Sequence, residues 1–196
     1  PLYHDYSSYL MEKINKTIYT PIGHVNRRHE DGSIVYYPVN SFRGLVGNEI
    51  NESTNIGLNV SSNQTDSDLE LSIEVFSEEE LTSPNLKLTV ILVEKIVTGI
   101  GPGYDQRNYG NSDPGHPYYG QGNYIQGFEH TNVIRHVLSS YEGDDIDLSA
   151  MTSTWTGNIA LTELAKSPSA YRVIAFVSES SDIVMPIINA VAFDIQ

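Results

Sequence analysis

Leu86-Lys87-Leu88-Thr89-Val90-Ile91-Leu92-Val93-Glu94 carries apolar residues at every second position, 86, 88, 90 and 92, with two more at 91 and 93 between them. A period of two is the mark of a β-strand, and apolar residues on both faces mark a strand covered from two sides. This strand is therefore expected at the centre of a sheet. Upstream, Leu69, Leu71, Ile73 and Val75 alternate with polar partners, as do Ile56, Leu58 and Val60, and the polar run Ser61–Asp68 between them reads as a hairpin connection. Downstream, strands are expected over Val133–Leu138, Thr152–Leu161, Tyr171–Ser178 and Ile187–Ile195. Seven or eight strands without regular intervening helices argue for an antiparallel β-sandwich, immunoglobulin-like or jelly-roll-like, over a parallel α/β sheet.

The first 53 residues differ in character and read as a small α/β piece, so the chain divides into 1–53 and 54–196. Tyr6, Tyr9, Leu10, Lys13, Ile14 and Thr17 follow helical spacing, predicting a short amphipathic helix over Tyr6–Ile18. Thr20-Pro21 breaks it. Asp31-Gly32 signals a turn before the strand-like Ile34–Tyr37, which stops at Pro38. Asn40-Ser41 can cap a second helix over Phe42–Glu49.

Composition narrows the function. Eleven basic residues against 25 acidic give a net charge of −14, which argues against nucleic acid, whose affinity comes largely from Lys and Arg on phosphates. It equally disfavours electrostatic docking on an anionic membrane. With no cysteine, disulfides, thiol redox chemistry and cysteine metal sites are excluded. No apolar run approaches the ~20 residues of a membrane helix, and Pro1–Tyr6 has neither the basic start nor the apolar stretch of a signal peptide. A chain opening inside an amphipathic segment is expected to be a mature product or part of something longer. Asn15, Asn51, Asn59 and Asn63 head Asn-X-Ser/Thr triplets, which arise by chance in an Asn- and Ser-rich chain. There is no Gly-X-Ser-X-Gly elbow, and Gly99–Gly103 lacks the lysine and helix of a phosphate-cradling loop.

The segment Tyr124–Leu138 adds a more specific signal. With Leu88–Glu94 ahead, the box His130-Thr-Asn-Val-Ile-Arg135 within it, then Ile174–Val177 and Ile188–Val191, the region 55–196 resembles the C-terminal half of the outer-membrane-protein-28-related family of Bacteroidetes. In that family the box tends to read His-Asn-His-Val-Leu-Arg; here Thr131-Asn132 removes the middle histidine. The resemblance implies an exported protein at the outer membrane or cell surface, lipidated or membrane-associated, with a thioredoxin-like domain ahead of the sandwich. Residues 6–52 look like the tail of such a domain, with Thr20-Pro21 where thioredoxins place a cis-proline. Without cysteines that tail is a platform and exchanges no disulfides.

Three groups are candidate sites. Gly99 to about Ile125 is a loop well beyond the usual length in compact domains. Its Tyr104, Tyr109, Tyr118, Tyr119 and Tyr124, set among Gly and Asn, give the rigid amphipathic contact surface of binding loops; they either stack on a sugar or grip a peptide or protein, or pack over one end of the sandwich. His116, His130 and His136 are the imidazoles of the same region. On a strand His130 and His136 lie ~20 Å apart, so a metal site is opposed by the reading that His130 and Arg135 fix the loop through backbone carbonyls. Glu142, Asp144, Asp145 and Asp147 offer hard oxygen ligands to calcium without the EF-hand spacing, or cap exposed N–H groups of a turn. Trp155 reads as strand or core packing. The expectation is a non-enzymatic module without a resident cofactor, binding a protein partner, glycan or peptide. The alternatives are a glycan- or peptide-directed hydrolase using His130, His136 and Asp144–Asp147, and an accessory subunit of an outer-membrane assembly.

Overall fold

The computed structural model describes residues 4–14, 22–27, 29–30, 33–34, 37–81, 85–180 and 185–196. Among them run seven strands of eight residues or more: β1 Ile56–Gln64, β2 Asp68–Ser77, β3 Leu86–Val97, β4 His130–Val137, β5 Thr152–Ala160, β6 Tyr171–Glu179 and β7 Ile187–Asp194. One sheet has the order β4-β3-β6-β7 and the other β5-β2-β1, with every pairing antiparallel. The two sheets stack as a sandwich.

The inner faces follow the alternation in the sequence. Leu69, Leu71, Ile73 and Val75 of β2 are at most 2% exposed, and they meet Leu88, Val90 and Leu92 of β3 and Val173, Ala175 and Val177 of β6. Each fully buried aliphatic side chain contributes about 1.5–3 kcal/mol. β3 is central, as its two apolar faces predict. Its other face, Ile91 and Val93, packs with Phe176 under helix α1, Asp5–Ile14. Tyr6, Tyr9 and Leu10, at the i, i+3, i+4 spacing of one helical face, supply the cover. Tyr6 stacks on Tyr9 at 5.8 Å and meets the edge of Tyr141 at 5.3 Å, while Arg27 lays its guanidinium 5.1 Å from the Phe176 ring. The N-terminal piece thus roofs the outside of the larger sheet.

Several expectations need adjusting. Ser61–Asp68 is not all connection: β1 runs to Gln64 and β2 starts at Asp68, leaving Thr65–Ser67 as the turn. The polar residues there pair across the ladder, Asn63 donating to Glu70 at 2.9 Å and Asn59 to Glu74 at 3.2 Å, so the outer face is held by side-chain amides. A shallow polar groove of about 470 Å³ crosses this face between Asn63, Glu70 and Asn158. β4 begins at His130, three residues early, because Thr131 pairs with Ile96 before Asn132 adopts a left-handed φ of 53°. The helix Phe42–Glu49, α2, forms as predicted, but Ser41 makes no side-chain cap and a 3-10 turn, Val39–Ser41, leads into it. Tyr37–Pro38 pairs with Ile22–Gly23, and His29–Glu30 with Ser33–Ile34. Thr20-Pro21, Asp31-Gly32 and the last residues of the expected first helix, 15–18, lie outside the described residues.

Candidate functional site

Between β3 and β4 the chain leaves the sheet at Gly99 and returns at Glu129. This flap has its own small architecture. Gly101 and Gly103 take φ of 97° and 95°, a region that only glycine enters freely, and the Gly101 N–H donates to Asp105 Oδ1 at 2.9 Å. Gln106–Arg107 then pairs antiparallel with Tyr124–Ile125, so the segment read as loop contains a two-residue ladder.

Asn108, buried at 7% exposure, ties the tip together. Its Nδ2 donates to the carbonyls of Tyr118 at 2.8 Å and Gly122 at 2.9 Å, and its Oδ1 accepts from Gly110 N–H. One side-chain amide thereby satisfies backbone groups from three parts of the tip. Asn111 Oδ1 accepts from Gly122 N–H at 2.8 Å. The His116 ring lies against Gly110, where a Cβ would come within 2.0 Å of Nδ1.

From His116 a run of ring contacts leads back to the sheet: His116 to Tyr118 at 5.8 Å, Tyr118 to Phe128 at 6.1 Å, and Phe128 to His130 at 5.0 Å. His130 Nε2 donates to the Tyr104 carbonyl at 2.6 Å, closing the base of the flap. The five tyrosines therefore divide. Tyr104 and Tyr118 are half-buried bracing, whereas Tyr109, Tyr119 and Tyr124 stand 80%, 52% and 57% exposed. Arg107 places its guanidinium 5.2 Å from the Tyr109 ring.

On the strand pair from which the flap springs, a buried carboxylate meets two partly exposed cations. Glu94, only 3% exposed in its side chain, accepts from Arg135 Nε at 2.8 Å and pairs with Lys166. Burial pushes its carboxyl up, but the hydrogen bonds and charges of Lys166 and Arg135 more than offset this and hold it below the ordinary range. Arg135 therefore acts through a side-chain carboxylate as well as the sheet. His136 is held low by burial, which Glu163 opposes and His4 reinforces.

The remaining candidates point to separate partners. Asp144 takes the indole N–H of Trp155 at 2.7 Å and the Ser140 N–H at 2.9 Å. Asp145 pairs with Lys87 at 2.7 Å, Glu142 with Lys13 at 3.4 Å, and Asp147 accepts from Ser149 N–H at 2.9 Å. Those Asp144 and Asp147 bonds are the turn-capping arrangement weighed in the sequence. Among the described residues no group of three His, Asp or Glu side chains is placed to hold a metal ion. The structure does not bring His130, His136 and the acidic turn together: His130 serves the flap, His136 faces Glu163, and Asp144 serves Trp155.

Sequence reasoning missed Asn108, Arg107, Phe128, Glu94 and Lys166. Only Glu94 carried a visible signal, an acid closing an apolar central strand.

These features define an antiparallel β-sandwich with an aromatic flap and a helical roof. The model of the family described as outer membrane protein Omp28 matches residues 10–193, and the chain belongs to that family. It is accordingly an extracytoplasmic protein of the outer membrane or cell surface of a Gram-negative bacterium. HBP35 of Porphyromonas gingivalis shares the fold at a TM-score of 0.67 and 17% identity, over 97% of this chain and 57% of that one. The chain thus spans little more than half the length of HBP35. A domain of the outer membrane lipoprotein Omp28 from Porphyromonas gingivalis aligns at a TM-score of 0.43 and 15% identity, over 74% of this chain and 91% of that one. No curated protein matches. No helix among the described residues is long and apolar enough to cross a membrane.

Proposed function

We propose that the protein is a non-catalytic recognition module at the bacterial surface, and that the flap 99–128 is the element that captures a ligand or partner. One observation carries this reading: the flap is braced from within by Asn108, His116 and His130, yet presents Tyr109, Tyr119 and Tyr124 to solvent. Rings held on a rigid frame lose little conformational freedom when they are covered, and Tyr beside Gly and Asn is the composition of binding loops. The combined replacement of Tyr109, Tyr119 and Tyr124 by Ser tests it. Secondary structure and thermal unfolding should stay as in the parent, while binding of the purified protein to outer-membrane fractions should fall at least about tenfold. Undiminished binding would remove the flap from recognition.

A second reading, an accessory subunit of an outer-membrane assembly, draws on α2. Val46 and the following Ile50 are 43% and 76% exposed beside a groove of about 560 Å³ that Ile187 and Ile188 also line. Ile50→Glu should then lower the assembly mass seen by native mass spectrometry, with no change in flap-dependent binding.

A further inference from the structure

We infer that the flap reads a single acidic sugar within an otherwise neutral glycan, with Arg107 holding the sugar's carboxylate between the rings of Tyr109 and Tyr124. This rests on the flap being the recognition element. The register places Arg107 directly opposite Tyr124, and residues opposed in an antiparallel ladder project from the same face. Tyr109 joins them through its stacking contact with the guanidinium at 5.2 Å. The patch thus sets a guanidinium over one aromatic ring, Tyr109, with a second aromatic residue, Tyr124, opposite it in the ladder.

The cation is available. Among the described residues the carboxylates nearest in sequence are otherwise engaged, Asp105 by Gly101 N–H and Asp113 by Gly115 N–H. Among the described residues Lys13, Lys87, Arg135, Lys166 and Arg172 pair with acids, while Arg27, Arg43, Lys95 and Arg107 form no ion pair; of these four, Arg27 is buried against the buried Phe176 ring, and Arg107 lies over the exposed ring of Tyr109. In a chain of net charge −14 a guanidinium left without a carboxylate, yet held over a ring, is preset for a planar anionic group.

The surroundings choose the kind of molecule. The net charge repels a polymer with an acid at every unit, so one isolated carboxylate fits and a polyanion does not. Flat exposed rings suit the apolar faces of sugar rings, and exposed Asn123 and Gln126 add amides able to donate to and accept from hydroxyls.

Calorimetric titration of the whole chain decides the matter, using three titrants. These are a neutral oligosaccharide ending in one glucuronic acid, the same oligosaccharide with that carboxyl reduced to the alcohol, and a peptide with a single glutamate. The acidic oligosaccharide should bind about tenfold tighter than the reduced one. Arg107→Gln should erase that difference while leaving the weaker binding of the reduced form in place, and Tyr124→Ser should weaken both. Equal affinities, no binding of either sugar, a preference that survives Arg107→Gln, or tighter binding of the peptide would each overturn the inference. The outer-membrane assay keeps this distinct from the broader reading: a triple tyrosine variant that still loses membrane binding leaves the flap as recognition element with a different ligand.

Discussion

Glu94 lies within the central strand, opposite Val133 and Tyr171, with Arg135 and Lys166 converging on its carboxylate. A carboxyl held low in the folded state stabilises above its ordinary value of 4.5, and that contribution is lost as the pH falls through the lower folded value. The stability of the parent should therefore decline on acidification below that point, and Glu94→Gln should flatten this part of the profile. The substitution should also cost about 2–4 kcal/mol near neutrality, because two cations lose their charged partner; Arg135 and Lys166 remain partly exposed and can turn to water. Denaturant unfolding across pH measures both effects. Trp155 supports a second test at this scale. Its ring lies against Gly157, where a Cβ would approach to 2.2 Å, and its N–H is fixed on Asp144. Gly157→Val should push the indole outward at a cost of about 1–3 kcal/mol. As the chain has one tryptophan, a red shift in emission reports the displacement directly.

The flap depends at the element scale on Asn108 more than on any tyrosine. Asn108→Ala removes three hydrogen bonds at once and leaves the Tyr118 and Gly122 carbonyls without that partner. Losses of about 1–3 kcal/mol fall on the flap alone. Amide exchange over residues 108–123 should speed at least tenfold, while β3 and β6 keep their protection. Equal exchange in both proteins would mean that the ring contacts suffice. Little of this was legible beforehand: composition marked the stretch as aromatic and long, but the ladder Gln106–Arg107 with Tyr124–Ile125 has no periodicity to reveal it. Nor does sequence tell which of five tyrosines brace and which face solvent. That division follows from contacts between residues ten to 26 positions apart, such as Asn108 with Tyr118 and His130 with Tyr104.

The sandwich as a whole was far more legible, because alternation is a local signal. Leu69 to Val75 and Leu86 to Leu92 declare their inner faces within seven residues. Strand limits drifted where polar side chains pair across the outer face, as Asn63 does with Glu70, since such pairs look like turn composition. The order β4-β3-β6-β7 was not legible, for it depends on which strands meet after the chain has crossed between sheets. Leu88, with no exposure and apolar neighbours from both sheets, tests this shared core. Leu88→Ala should cost about 2–5 kcal/mol and lower the unfolding midpoint by at least about 4 °C. A shift below a degree would mean that the sheets pack loosely.

The chain visits the three-stranded sheet, then the larger one, returns with β5, and finishes in the larger sheet. β3 therefore has to wait for β6, whose first residue, Tyr171, pairs with Glu94. During synthesis, or on passage through a translocon, the oiliest strand emerges long before its central neighbour. Helix α1 and strand β2, which cover its two faces, precede it in the chain, but until Tyr171–Glu179 arrives the edge that β6 occupies keeps its backbone groups without their strand partner. An unpaired strand edge of this length is a surface that other chains can join until its own neighbour docks.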